Sequence, residues 1–202
     1  MTLLQTNTPV TFYIVRHGET DWNVAGRMQG QADIHLNDTG CLQAAELAAL
    51  LQHVPFTSCY SSDLQRAYKT AKIILDEKNH NISIVTDQRL RERDFRHWEG
   101  KFFTDFHNAP IEERATIETH QEVLTRVMLS LHEIASNEKE GNILVLTHGG
   151  IICNLLLRLL NLDPQTYKVF VKNTGYAKVV FSNNQLVTEE MYNVEILEPS
   201  VL

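Results

Sequence analysis

Short apolar runs alternate along the chain with longer stretches in which hydrophobic side chains recur every three or four residues. The first run, TFYIV at 11–15, predicts a β-strand. A helix is predicted to begin near Asn37, whose side-chain oxygen suits an N-cap, and to bury Ala44, Leu47, Ala48, Leu51 and Val54. A strand at 57–60 follows, then a helix with Leu64, Ala67, Ala71, Ile74 and Leu75 on one face, then a short strand at 82–85. Residues 87–116 are less regular. An amphipathic helix is predicted over 117–137, gathering Leu124, Val127, Met128, Leu131, Ile134 and Ala135, with Gly141 as its stop signal. A wholly apolar strand at 143–146 comes next. Residues 150–160 are apolar nearly all round, which predicts a helix buried against a sheet and too short to cross a membrane. Segments 177–181 and 186–194, joined at Asn183-Asn184, predict a closing hairpin. Strands alternating with helices predict an α/β fold: a three-layer α/β/α sandwich around a mostly parallel sheet, with 1–202 as one domain.

Composition narrows the function classes. A chain of 202 residues, 43% hydrophobic and 21% charged, buries about 70% of its unfolded surface without needing disulfides or a structural metal. A net charge of −7 argues against nucleic-acid and acidic-membrane partners, which select broad excesses of Lys and Arg. Cys41, Cys59 and Cys153 are odd in number and form no CxxC pair, so reduced thiols in a cytoplasm are expected. The opening MTLLQTNTPVTFYIV fits neither a signal peptide nor a membrane span, again pointing to the cytosol. His35, His53, His80, His97, His107, His120 and His132 show no HxH or HExxH spacing, so no metal site and no cofactor are expected.

Candidate chemistry falls at three strand ends. Arg16-His17-Gly18-Glu19 follows FYIV, Ser62 and Arg66 follow TSCY, and His148-Gly149-Gly150 follows ILVLT. Open α/β sheets bind ligands where strands deliver their carboxyl ends, so these segments predict one pocket with two arginines and two histidines. Two guanidinium forks can bracket a phosphate dianion from different sides. Gly18, Gly149 and Gly150 are expected to give backbone N–H groups close access to it. No GxxxxGK[ST] stretch exists, which excludes a nucleotide P-loop. A neutral imidazole attacks well when its other ring nitrogen is held as a donor, the role expected of His17. His148 is expected to serve as a cation beside the phosphate. An acid must protonate the leaving oxygen, and spacing leaves both Glu92 and Glu99 open.

RHGETDWN at 16–23, GRMQGQADIHLNDTG at 26–40, SSDLQRAYKTA at 61–71, LRERDFRHWEG at 90–100, VLTHGG at 145–150 and KNTGYAKV at 172–179 occur in an order that resembles the histidine phosphatase superfamily, which includes cofactor-dependent phosphoglycerate mutases. The resemblance implies a phosphoglycerate mutase-like sandwich in which His17 is phosphorylated and Arg16, Arg66 and His148 form the phosphate pocket. It further implies substrate contacts at Asn23, Gln29, Gly30 and Gly149, a proton donor at Glu92, turn support from Glu99, and chemistry without a metal.

One departure is Arg96, where the family usually has Gly; it is expected to alter the loop after Glu92 and to bring positive charge toward the pocket mouth. The segment between WEG and the long helix, 101–117, is short, which favours a phosphatase open to water over a closed mutase. A phosphoglycerate-mutase-like isomerase and a non-catalytic binding module on the same fold remain the alternatives. The expected partner is a small phosphorylated metabolite, and oligomeric state stays open, a homodimer included.

Several side chains keep two readings. Arg66 either binds phosphate or pairs with Asp63, and Glu19 either contacts ligand or supports a cap. His107, Asn108 and Arg114 either touch the substrate's non-phosphate part or are ordinary loop polarity. Asn173 either reaches the pocket or serves a turn, while Trp22 and Trp98 are expected to pack near it.

Overall fold

The computed structural model describes residues 9–79 and 81–198. The opening MTLLQTNT, read above for targeting signals, and His80 lie outside the described residues, as do 199–202. In chain order the elements are β1 (Val10–Arg16), α1 (Asp21–Val24), α2 (Asp38–Leu50), β2 (Phe56–Ser61), α3 (Gln65–Glu77) and β3 (Ile84–Thr86). They continue with α4 (Phe103–Asn108), α5 (Ile111–Arg114), α6 (His120–Glu138), β4 (Gly141–Thr147), α7 (Gly149–Leu159), β5 (Lys168–Ser182) and β6 (Gln185–Leu197).

Six strands form one sheet in the order β3-β2-β4-β1-β5-β6. The first four run parallel, and β5 and β6 close one edge antiparallel, so the sheet is mixed with a parallel majority. Alternation along β1 divides the core. Phe12 and Ile14 face α6 and α7, meeting Val127, Leu131, Ile134, Ile151, Ile152 and Leu155. Tyr13 and Val15 face α2 and α3, meeting Leu47, Ala48, Ala67, Ala71 and Ile74. Because both faces are covered, the central strands read as unbroken apolar runs, and the three-layer expectation holds.

Boundaries moved for local reasons. α2 starts where Asn37 predicts, its Oδ1 accepting from the Gly40 N–H at 2.8 Å. α6 starts three residues later than periodicity suggests, because Thr119 and Glu122 form a capping box that holds the preceding chain extended. The hairpin turn is Asn183-Asn184, both at positive φ, the conformation that a two-residue turn matched to strand twist demands. β5 begins nine residues before the predicted 177, at Lys168, because Asn173, Thr174 and Gly175 bulge out of the ladder between Val171 and Tyr176 and disguise the alternation before them. Segment 87–116 folds as short turns and helices over a small cluster of Met28, Trp98 and Ile117. It is stitched to 26–28 by bonds from Met28 N to the Lys101 carbonyl and from Gly100 N to the Met28 carbonyl, at 2.9 and 2.8 Å.

Candidate active site

The carboxyl ends of β1, β2 and β4 open into a cleft of about 430 Å³ lined by Arg16, His17, Asn23, Gln29, Gly30, Arg66, Glu92, Gly149 and Gly150. A second hollow, of about 560 Å³, lies on the far side of Arg16 but lacks His17, Arg66 and Glu92, so the predicted chemistry converges in the first.

β1 ends at Arg16, and the His17 N–H continues the ladder by donating to the Thr147 carbonyl at 3.1 Å. The His17 ring is buried. Its Nδ1 lies 2.6 Å from the Gly18 carbonyl, which can only accept, so Nδ1 carries the hydrogen and Nε2 keeps its lone pair. That lone pair receives the Arg66 Nε–H at 3.2 Å. Burial, with Arg66 and Arg16 nearby, pushes His17 well below the usual histidine value of 6.5, so the ring is neutral at pH 7.

Arg66, in the first turn of α3, is fully buried. Its Nη1 and Nη2 donate to the Ala32 and Gly30 carbonyls, each at 2.7 Å. Asp63, the rival ion-pair partner, binds Arg91 instead, at 2.5 Å. Desolvation lowers Arg66 to about 10, which leaves it charged. Arg16 is lowered for the same reason; its Nη1 bonds the Val171 carbonyl at 2.6 Å, and its Nε is buried without a partner.

His148 caps α7 on the neighbouring strand end, its ring centroid 5.3 Å from that of His17. Nε2 lies 2.9 Å from Ser62 Oγ, while Nδ1 is buried and unpartnered. The expected cation is a neutral ring in the free site, because burial, Arg66 and His17 all disfavour its charge. An arriving dianion acts in the opposite sense.

The two candidate acids separate cleanly. Glu92 lines the cleft, accepting from Gly150 N at 3.0 Å and Arg93 N at 2.8 Å. A β-carbon at 150 would stand 2.5 Å from the Glu92 carboxylate, so any larger residue there would push that carboxylate aside. Glu99 lies outside the cleft and accepts from Gln31 N at 2.7 Å, supporting the 29–31 turn.

Other expectations are refined. Gly18 does not line the cleft; its N–H bonds Thr70 Oγ1 at 3.1 Å, and its bare α-carbon lets the chain pass the Gly40 carbonyl. Gly149 borders Arg16 at the start of α7, and Gly30 lends its carbonyl to Arg66. Asn23 Oδ1 is engaged by Thr20 and by Asn173 at 3.3 Å, whereas Gln29 Oε1 is buried with no partner. Glu19 accepts from Asn37 Nδ2 at 3.0 Å, a capping role. Trp22 lines the cleft and Trp98 lies behind it in the small cluster. His107, Asn108 and Arg114 do not line it. Neither does Arg96, whose guanidinium reaches back to Asp94 at 3.2 Å; the charge expected at the mouth is not there. Its φ of +54° explains why glycine suits this position.

Sequence reading left the part of Asn173 undecided. Its Nδ2 donates to the His17 carbonyl at 3.1 Å, so the β5 bulge braces the main chain beneath His17. The apolar members Phe103, Cys153, Val169 and Phe170 carry no signal in the sequence, because nothing in the pattern separates a cleft wall from a core. The Cys153 thiol, bonded to the Val169 carbonyl, is pushed up to about 12 by burial. Among the described residues no three His, Cys, Asp or Glu side chains gather as a metal site, and no helix is long and apolar enough to cross a membrane.

One strand-end imidazole, two buried guanidinium groups and a carboxylate line one cleft of an α/β fold, and the second imidazole, His148, does not line it but lies behind His17, ring centroids 5.3 Å apart. The chain belongs to the histidine phosphatase superfamily (branch 1), whose family profile matches residues 12–194. It is 31% identical over 190 residues to the uncharacterized phosphatase PhoE of Bacillus subtilis, covering 90% of this chain and 93% of that one. It is 35% identical over 181 residues to phosphoglycerate mutase-like protein 4 of Arabidopsis thaliana, covering 78% of each. The solved phosphoglycerate mutase of Bacillus anthracis superposes with a TM-score of 0.80 at 27% identity, covering 91% of this chain and 93% of that one.

Proposed function

We propose that the chain is a metal-independent phosphomonoester hydrolase that transfers the phosphoryl group of a small metabolite to His17 and then to water. The observation that carries this reading is the His17 ring: Nδ1–H fixed on the Gly18 carbonyl, Nε2 unprotonated and aimed at Arg66. A phosphoryl group in the cleft would displace the Arg66 Nε contact and be bracketed by Arg16 and Arg66, whose charges offset the oxygens in the transition state. Nε2 attacks phosphorus as the ester P–O bond breaks, and protonated Glu92 gives its proton to the departing alkoxide. In the second half Glu92, now a carboxylate, takes a proton from water; the water oxygen bonds phosphorus, the P–N bond breaks, and inorganic phosphate leaves. His148 Nδ1 and Arg16 Nε, both buried and unpartnered, are the donors left for the equatorial oxygens.

The short 101–117 segment supports hydrolysis over a mutase, since water needs access to the phosphorylated ring. Free Cys41, Cys59 and Cys153 support a reducing, cytosolic setting. Rapid quenching with a radiolabelled alkyl phosphate is expected to trap acid-labile, alkali-stable label on His17, with phosphate release that survives EDTA and needs no bisphosphorylated primer. Label that returns to the substrate skeleton instead of appearing as inorganic phosphate would favour the mutase.

A further inference from the structure

The cleft is charged at its floor and apolar at its outer wall. Trp22, Phe95, Phe103, Val169 and Phe170 form that wall, and Phe103 and Phe170 stand at the mouth 50% and 51% exposed. Large aromatic faces left half in water around a concave site are what an apolar ligand covers. Cations for a second anion are sparse beside that wall. Beyond the floor pair Arg16 and Arg66, the cation among the described cleft residues is Arg27. Its Nη1 bonds the Gly100 carbonyl at 2.6 Å and its guanidinium stacks 4.4 Å over Phe102. The nearby cations Lys172 and Arg96 are paired with Glu195 and Asp94, at 2.7 and 3.2 Å. A carboxylate or second phosphate on the alcohol half of a substrate would be desolvated against aromatic carbon over most of that wall, with Arg27, its Nη1 already on a carbonyl and its face on Phe102, the cation left to meet it.

Resting on the hydrolase reading above, we infer that the alcohol half of the substrate is uncharged and apolar, of the size and character of an aryl-alkyl group, and that phosphorylated hydroxy acids, amino acids and bisphosphates are poor substrates. The cleft volume of about 430 Å³ leaves room for such a group beside the phosphate.

The test compares kcat/KM for 3-phenylpropyl phosphate, glycerol 3-phosphate and 3-phosphoglycerate. All are primary alkyl esters with poor leaving groups, so bond reactivity does not set the ranking. The phenylpropyl ester is expected to exceed glycerol 3-phosphate by about tenfold or more, mainly through KM, with 3-phosphoglycerate slowest. In Phe103→Ser and Phe170→Ser that ratio is expected to fall toward one; reading a ratio keeps a partly inactive preparation from imitating the result. A ratio near one in the unmodified chain, or a preference for 3-phosphoglycerate, overturns the substrate class and leaves the hydrolase reading intact. Failure to hydrolyse any of the three, with no label on His17, overturns both.

Discussion

The floor of the cleft issues from the ends of β1, β2 and β4, whereas its outer wall comes from α1, from the turn and the start of α4 after Glu92, and from β5 beside its bulge. On the floor His17 and Arg66, and His148 behind it, are 3%, 0% and 0% exposed, and each is fixed by hydrogen bonds. On the wall Phe103 and Phe170 are half-exposed, and the side chains are held by packing. Buried, pre-aligned charge acts strongly because little solvent must reorganise around it, while an exposed apolar surface accepts many shapes. The contrast separates reaction from recognition: damage to the floor should slow every substrate, and damage to the wall should re-rank substrates.

The largest effect that could break this division is at His17. His17→Ala is expected to lower kcat on every ester by about 10⁴-fold or more and to abolish phosphorylation of the chain, as removal of a nucleophile does elsewhere. A variant that keeps turning over alkyl esters would sink the mechanism. Arg66→Lys should follow, with about 10²–10³-fold loss in kcat from one missing phosphate donor. It should also melt lower, since stranding the Gly30 or Ala32 carbonyl costs about 1–3 kcal/mol.

The floor should also carry a pH signature. His17 and His148 both lie below the ordinary 6.5 when folded, so the unfolded chain binds more protons as pH falls through that value. The stability is fully present above about 6.5 and is lost progressively below it, down to the depressed folded values. Melting curves from about pH 7.5 down to about pH 5 check this, and a flat profile contradicts it. Smaller is Asn173→Ala, which removes one brace from the His17 carbonyl: about 1 kcal/mol, read as roughly a fivefold fall in kcat at constant KM. On activity Arg96→Gly should be smallest, with KM unchanged because the side chain is tied to Asp94, although it should release about 1–2 kcal/mol of left-handed backbone strain, a rise of about 2–4 °C in Tm per kcal/mol.

What could be read from the chain divides along the same line. Arg16, His17, Arg66 and His148 were legible because each combines a chemically telling residue type with a place at or just beyond a strand's carboxyl end. Spacing left Glu92 and Glu99 tied, because both sit in an irregular loop; the family resemblance pointed to Glu92, and in the fold Glu92 faces the cleft while Glu99 lies under Gly30. The neutral resting state of His148 in the free site was not legible, because sequence reveals neither its burial nor the nearness of Arg66. Phe103 and Phe170 could not be told from core residues, and the early start of β5 was hidden by the bulge that places Asn173.

Adjacent parallel strands deliver the two imidazoles, with Arg16 opposite Thr147, so the distance between them is set by the ladder spacing of about 4.8 Å. The hydrogen-bond register is thus the ruler of the histidine pair. One residue inserted into β1 or β4 would turn the following imidazole to the opposite face of the sheet. Chain length is therefore pinned in these two seven-residue strands.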